Sequence, residues 1–230
     1  MSRSLFLLIA ILTAGCVRVA DNQQEGLIEE PDPVEGVLCM GFDMSGPFRQ
    51  QIQADNGRVG KFALSVVADF FKARAGSNDQ VVLFQISGNM DRPIMWQGRP
   101  AEFRSRFGDP AAFRSFLADK ARAPEDRCPA FRGIAEALEY VLSFHERPGS
   151  KVATATLVFS SFLDTDPDSA VQLERMKDAL RRYSKVTAGI GFYWIDNKVA
   201  PKIEKILRES GYPNAATRDF VDYPDKPIWR

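Results

Sequence analysis

Residues 37–48 read VLCMGFDMSGPF. A short apolar run, with Gly36 before it and the turn-forming Ser45-Gly46-Pro47 after it, is the pattern of a buried strand. A strand apolar on both faces belongs in a parallel sheet covered by helices on each side. Asp43 and Ser45 then stand where the chain leaves the carboxyl end of that strand, the place where open α/β sheets put their ligand sites. A carboxylate and a hydroxyl two positions apart are hard oxygen donors of the kind that suit Mg²⁺ or Ca²⁺.

Working outward, strands and helices alternate. Val59, Phe62, Ala63, Val66, Val67, Phe70 and Phe71 repeat at helical spacing over residues 59–73, which predicts an amphipathic helix. Residues 80–87, QVVLFQIS, read as a second strand, and 94–97 as a short third one after Pro93, at a sheet edge where proline is tolerated. Two helical pieces follow over 101–122, divided at Gly108-Asp109-Pro110, with Asp109 and Pro110 placed as N-cap and first helical residue. Further helices are expected at 130–144, 171–183 and 199–208, further strands at 153–159 and 187–195, and a last strand at 220–223. The expected fold is a three-layer α/β domain over residues 37–230, with a mostly parallel central sheet, helices on both faces and one edge strand.

FDMSGP, together with this order of elements, resembles the von Willebrand factor type A (vWA) family. Its metal-ion-dependent adhesion site opens with Asp-x-Ser-x-Ser on the first strand. Asp43 and Ser45 match that pattern, and Pro47 stands in place of the second serine. The family's threonine before the central helix aligns with Cys128, and its aspartate after the following strand aligns with Ser161. A thiol is a poor partner for a hard cation. The resemblance therefore implies a degenerate site, in which Asp43 and Ser45 act as hydrogen-bonding groups for the neighbouring loops. The alternative is a Mg²⁺-dependent adhesion module held by those two residues, with Asp164, Asp166 or Asp168 swinging in to help. The resemblance also implies a protein-binding role through the loops at the carboxyl ends of the strands, with Phe48, Arg127 and Phe162 as exposed anchors.

The amino terminus points to export. Arg3, the apolar run 5–12 and small residues before Cys16 form a signal peptide over 1–15 that is too short to span a bilayer permanently. Thr13-Ala14-Gly15-Cys16 resembles a bacterial lipobox, which implies acylation (palmitate) at Cys16. Val17 after the cysteine resembles the default for sorting to the outer membrane, facing the periplasm. Residues 16–36 are acidic and rich in Gln, Glu and Pro, the composition of a disordered tether. The expected partners are thus a membrane, through the lipid, and a protein of the cell envelope.

Other classes fit less well. Thirty basic residues balance thirty acidic ones, which lacks the electrostatic footprint of nucleic-acid binding. No glycine-rich phosphate motif and no zinc spacing occurs, and no small-molecule substrate or other cofactor is indicated. A hydrolase built on Ser45 needs a base, and His145 is the sole histidine. It lies a helix length beyond Cys128, roughly 25 Å away at ~1.5 Å per residue, and is expected at a helix C-terminus interacting with the dipole. Asp43 as a phosphoryl acceptor would want a second carboxylate and a lysine that the pattern does not supply. The expectation is a non-catalytic protein. Cys39 and Cys128 fall at levels of the sheet roughly 13 Å apart at ~3.3 Å per residue, so no bond between them is expected.

Overall fold

A computed structural model describes residues 34–53, 57–73, 78–87, 90–121, 127–146, 151–186, 188–219, 221 and 224–226. The segments expected as signal peptide and tether, with Cys16, lie outside the described residues as far as residue 33. Among those described, no helix is long and apolar enough to cross a membrane.

The opening stretch is β1 (Gly36–Phe42), buried along its whole length. Its side chains alternate between two cores. Val37 and Cys39 enter one, and Leu38, Met40 and Phe42 the other, as the two-residue period of a strand requires. The chain continues through α1 (Gly46–Gln53), α2 (Arg58–Ala73), β2 (Gln80–Gln85), β3 (Ile94–Gly98), α3 (Pro100–Phe107) and α4 (Pro110–Lys120). There follow α5 (Ala130–Ser143), β4 (Ala153–Phe159), α6 (Ser169–Tyr183), β5 (Ala188–Ile195), α7 (Ala200–Glu209) and β6 (Ala216–Arg218). The six strands form one sheet in the order β3-β2-β1-β4-β5-β6. Only β3 runs antiparallel, at the edge beside β2. Residues of α5, α6 and α7 fill the core on one face, and residues of α1 to α4 fill the core on the other. This is the three-layer α/β architecture expected from the alternation of elements.

Three local readings change. Ser45-Gly46-Pro47 is not a simple turn: it opens α1, with Arg49 N–H bonded to the Ser45 carbonyl at 2.9 Å. Proline is favoured in a first helical turn because its missing N–H has no partner to lose. The domain also begins before residue 37. Glu35 already exchanges backbone bonds with Asn78 and Ala153, and Val34 packs against the core. Finally, the last strand among the described residues is β6, parallel to β5, which was not expected; the strand expected at 220–223 falls mostly outside the described residues. Of that segment only Val221 is described, and it is not in a strand.

Candidate functional site

The register of the sheet builds the site. Phe42 stands level with Gln85 of β2 and with Phe159 of β4. The next residues on the three strands therefore emerge together at the head of the sheet. Two backbone bonds carry the ladder one step further, Ile86 N–H to Phe42 O and Asp43 N–H to Phe159 O, each 2.9 Å. Asp43 is thus held between Ser87, just past β2, and Ser160, just past β4.

The Asp43 carboxylate is fully buried, and both oxygens are satisfied by the chain itself. Oδ1 accepts from the Ser45 N–H at 2.9 Å, from the Ser45 hydroxyl, and from the Ser87 hydroxyl at 2.7 Å. Oδ2 accepts from the Ser160 hydroxyl at 2.7 Å and from the Cys128 thiol at 3.4 Å. Two of these hydroxyls are themselves fixed. Ser87 Oγ accepts the Met44 N–H at 2.7 Å, and Ser160 Oγ accepts the Phe162 N–H at 2.9 Å. Burial first, and the Asp43 carboxylate second, push the Cys128 thiol far above its usual range. Cys128 therefore donates to the carboxylate as a neutral thiol.

Ser45 and Cys128 sit where the sequence places them. Two other positions shift. The β4 residue that meets Asp43 is Ser160, one place before Ser161, whose carbonyl instead accepts the Asp196 N–H. Ser87 was not singled out at all. Its sequence signal is being the first hydroxyl after a buried strand, which gains meaning only once the register is known.

The carboxylates of the acidic loop after β4 bond to the start of α5 and within the loop itself. Asp164 Oδ1 accepts the Phe131 N–H at 3.2 Å in the first turn of α5. Asp166 pairs with Arg132 at 3.0 Å and accepts the Asp168 N–H at 2.9 Å. Thr165 and Cys128 exchange two bonds, 2.7 Å and 2.9 Å. The loop thus docks the start of α5 to the head of the sheet, and Asp168 is exposed. Orphan N–H groups at a helix start account for this use of carboxylates.

Phe48 and Phe162 are not exposed anchors. Both are fully buried. Phe48 lies in the core beneath α1, and Phe162 stacks on Phe192 with ring centres 5.0 Å apart. Phe162 reaches that place with φ of 60°, a left-handed conformation that side chains disfavour. Arg127 is exposed, as expected. With it at the head of the sheet, Asp91, Arg92, Thr165 and Pro167 are also exposed.

As a divalent-ion site these residues fit poorly. One buried carboxylate already takes five donors, and a protonated thiol stands at one ligand position. Among the described residues, no group of three or more His, Cys, Asp or Glu side chains is arranged to hold a metal. Nor does a Ser–His pair form. His145 Nε2 lies 3.2 Å from Thr154 Oγ1, and Thr154 precedes Ser160 by a strand length of roughly 20 Å at ~3.3 Å per residue. Burial lowers the His145 pKa, the opposite of what a helix dipole would do to a stabilised cation. Cys39 and Cys128 are unbonded thiols.

No protein-family model and no curated protein matches the chain. Among solved structures, the fold is similar to the pilus adhesin SpaC of Lactobacillus rhamnosus GG in its open conformation. The TM-score is 0.50 at 9% identity, over 84% of this chain and 29% of the adhesin. An aerotolerance-related membrane protein of Bacteroides fragilis aligns with TM-score 0.44 at 11% identity, over 80% of this chain and 91% of that one. At such identities the likeness to the adhesin is one of fold, and the weaker second alignment adds nothing to it. The chain spans less than a third of the adhesin's length.

Proposed function

We propose that this chain is a non-catalytic, vWA-like protein-binding module held to a bacterial envelope membrane by acylated Cys16. The observation that carries this reading is the closed centre at the head of the sheet. The position from which an adhesion site would present a cation is filled by a carboxylate that the chain's own donors saturate. Binding then falls to the exposed rim around that centre, where Asp91, Arg92, Arg127, Thr165 and Pro167 stand. A mixed, polar rim with arginines is suited to a protein surface. The export signal and lipobox-like Cys16 motif support placement in the envelope, with the outer membrane facing the periplasm as the expected address.

The test uses the full chain expressed in a Gram-negative host. Labelling with a palmitate analogue is expected, and Cys16→Ala should abolish it. Crosslinking in intact cells, followed by mass spectrometry, should give the same partner with and without EDTA, and Arg127→Glu should weaken its capture. Calorimetric titration of the detergent-solubilised chain with Mg²⁺, Mn²⁺ and Ca²⁺ should give no saturable heat. Saturable binding that disappears in Asp43→Ala would replace this reading with the metal-dependent one. Ester turnover lost in Ser45→Ala would replace it with a hydrolase.

A further inference from the structure

One continuous chain of aromatic rings runs along the edge of the domain where α2, β3, α3 and α4 meet. Phe71 stands 5.9 Å from Phe103 between ring centres, Phe103 5.4 Å from Trp96, Trp96 5.5 Å from Phe107, and Phe107 5.1 Å from Phe116. Phe103 and Phe107 are buried, but Phe71, Trp96 and Phe116 are each partly exposed. Three exposed cations lie over these rings. The Arg104 guanidinium is 6.0 Å from the Phe71 ring centre, that of Arg106 is 5.4 Å and 5.5 Å from Phe107 and Phe116, and Lys120 Nζ is 5.8 Å from Phe116. Among the described residues no carboxylate pairs with any of the three. On α6, by contrast, Arg175, Lys177, Arg181 and Arg182 are paired with Glu139, Glu174, Asp178 and Glu146. Residues 99–120 hold five cations, Arg99, Arg104, Arg106, Arg114 and Lys120, against Glu102, Asp109 and Asp119. Two of those acids serve helix starts: Glu102 accepts the Arg99 N–H and Asp109 the Ala111 N–H, each at 2.8 Å.

This face begins at the end of the sheet where the chain enters the domain. Glu35 N–H donates to the Asn78 carbonyl at 3.2 Å, and Val37 stands level with Gln80 at the start of β2. Phe71 is in the last turn of α2, the helix that precedes that strand, and Gly98, close to the start of α3 and Arg104, is level with Val81. The Asp43 centre is at the other end of β1, roughly 20 Å away at ~3.3 Å per residue. Cys16 precedes Val34 by 18 positions, and a chain of that length spans at most roughly 60 Å. An acylated Cys16 would therefore keep the entry end of the sheet within that distance of a bilayer.

We infer that this face docks on the surface of a bilayer that contains anionic phospholipid. Arg104, Arg106 and Lys120 bond headgroup phosphates, and the exposed parts of Phe71, Trp96 and Phe116 rest at headgroup level. Charge complementarity selects this partner. Each cation is held against a ring, which leaves its outward N–H groups for an anion that the described residues do not supply. Aromatic rings interleaved with basic side chains are also the composition of interfacial anchors. The inference rests on the envelope-anchored reading and adds an orientation to it: the entry end of the sheet lies towards the membrane, and the rim around Arg127 is turned away, towards a protein partner.

The test reconstitutes the full chain with phosphatidylcholine vesicles, with and without one quarter phosphatidylglycerol. A bimane probe is attached through Ser105→Cys, between the two arginines, or through Val171→Cys, 68% exposed on α6 in the opposite helix layer. Quenching by lipids that carry a nitroxide near the headgroup is read against the chain without the added cysteine. At residue 105 it should be at least fivefold stronger with phosphatidylglycerol than without, and at residue 171 it should be absent. Each basic side chain near an anionic surface contributes about fivefold to binding. Arg104→Glu/Arg106→Glu/Lys120→Glu should therefore abolish the difference, whereas Arg104→Lys/Arg106→Lys should keep it within about twofold. All three positions are exposed, so circular dichroism should be unchanged in both variants. Equal quenching in the two kinds of vesicle, quenching at 171 in place of 105, or full quenching in the triple-Glu chain would overturn the inference. Palmitate labelling is a separate readout: its absence would defeat the anchored reading, while the probe at 105 still reports whether this face docks.

Discussion

Removing the Asp43 carboxylate tests whether the closed centre holds the fold together or is a site kept for a ligand. In Asp43→Ala the five donors that converge on it lose their acceptor. Hydroxyls of Ser45, Ser87 and Ser160 can rotate towards one another, but the buried Ser45 N–H cannot, and at least one hydroxyl stays unpaired. Each buried group left unsatisfied costs ~1–3 kcal/mol. Allowing for the desolvation that the lost charge no longer suffers, the net loss is about 3–5 kcal/mol. For a domain of this size each kcal/mol lowers the melting temperature by ~2–4 °C, so the expected drop is about 6–20 °C. Asp43→Asn, which keeps one acceptor oxygen, should lose about half as much.

Scanning calorimetry and urea denaturation of the full chain in detergent measure both variants, with and without Mg²⁺. A wild-type or raised melting temperature for Asp43→Ala would refute the reasoning. A carboxylate whose removal stabilises the protein is a group held at a cost to stability, as functional sites often are. Mg²⁺ should then raise the melting temperature of the wild type and not of the variant.

Gly133→Ala should cost about 2–3 kcal/mol in urea denaturation, because the new Cβ would lie 2.1 Å from the Ile86 carbonyl oxygen, which is backbone and cannot move aside cheaply. Gly46→Ala, with nothing within 4 Å, is the near-neutral control. Cys39, pushed up to about 12 by burial, and Cys128, pushed higher still, should both resist an aromatic disulfide reagent at pH 8 and react once guanidinium unfolds the chain. The His145 ring, followed by NMR, should titrate below 6.5, since burial disfavours its cation. A base with a lowered folded pKa binds fewer protons than the unfolded chain does. Its contribution to stability is therefore complete above pH 6.5 and declines as pH falls towards the folded value. A titration above 6.5 would mean that the dipole outweighs burial.

The fold was legible where one signal sufficed. The apolar run of β1 and the helical spacing of α2 and α5 needed nothing beyond their own sequence. The site was legible only in part, because it is assembled by register. Asp43, Ser45 and Cys128 were found through a pattern, but Ser87 and the choice of Ser160 over Ser161 follow from where Phe42 stands beside its neighbours. Phe162 shows the limit most clearly. An aromatic in a loop after a strand reads as exposed, and nothing in the sequence announces the left-handed backbone that turns it into the core. Similarly β6, three residues reading ATR, carries no apolar pattern; it is a strand because β5 offers it an edge.

On the proposed reading, a closed centre also limits what kind of partner the head of the sheet would accept. In a metal-dependent module the cation attracts an acidic group from the partner. Here that position holds a carboxylate without spare acceptors, and a second carboxylate brought near it would meet like charge in a buried setting, where repulsion is weakly screened. An acidic partner group should therefore be admitted only at the rim, beside Arg92 or Arg127, where solvent moderates each pair. Reversing Arg127 should then slow association and lessen its salt dependence, leaving dissociation of the captured partner nearly unchanged, as expected for a rim charge. A variant that instead dissociates much faster would place Arg127 within the desolvated middle of the contact, and the binding surface would have to extend inward over the Asp43 centre.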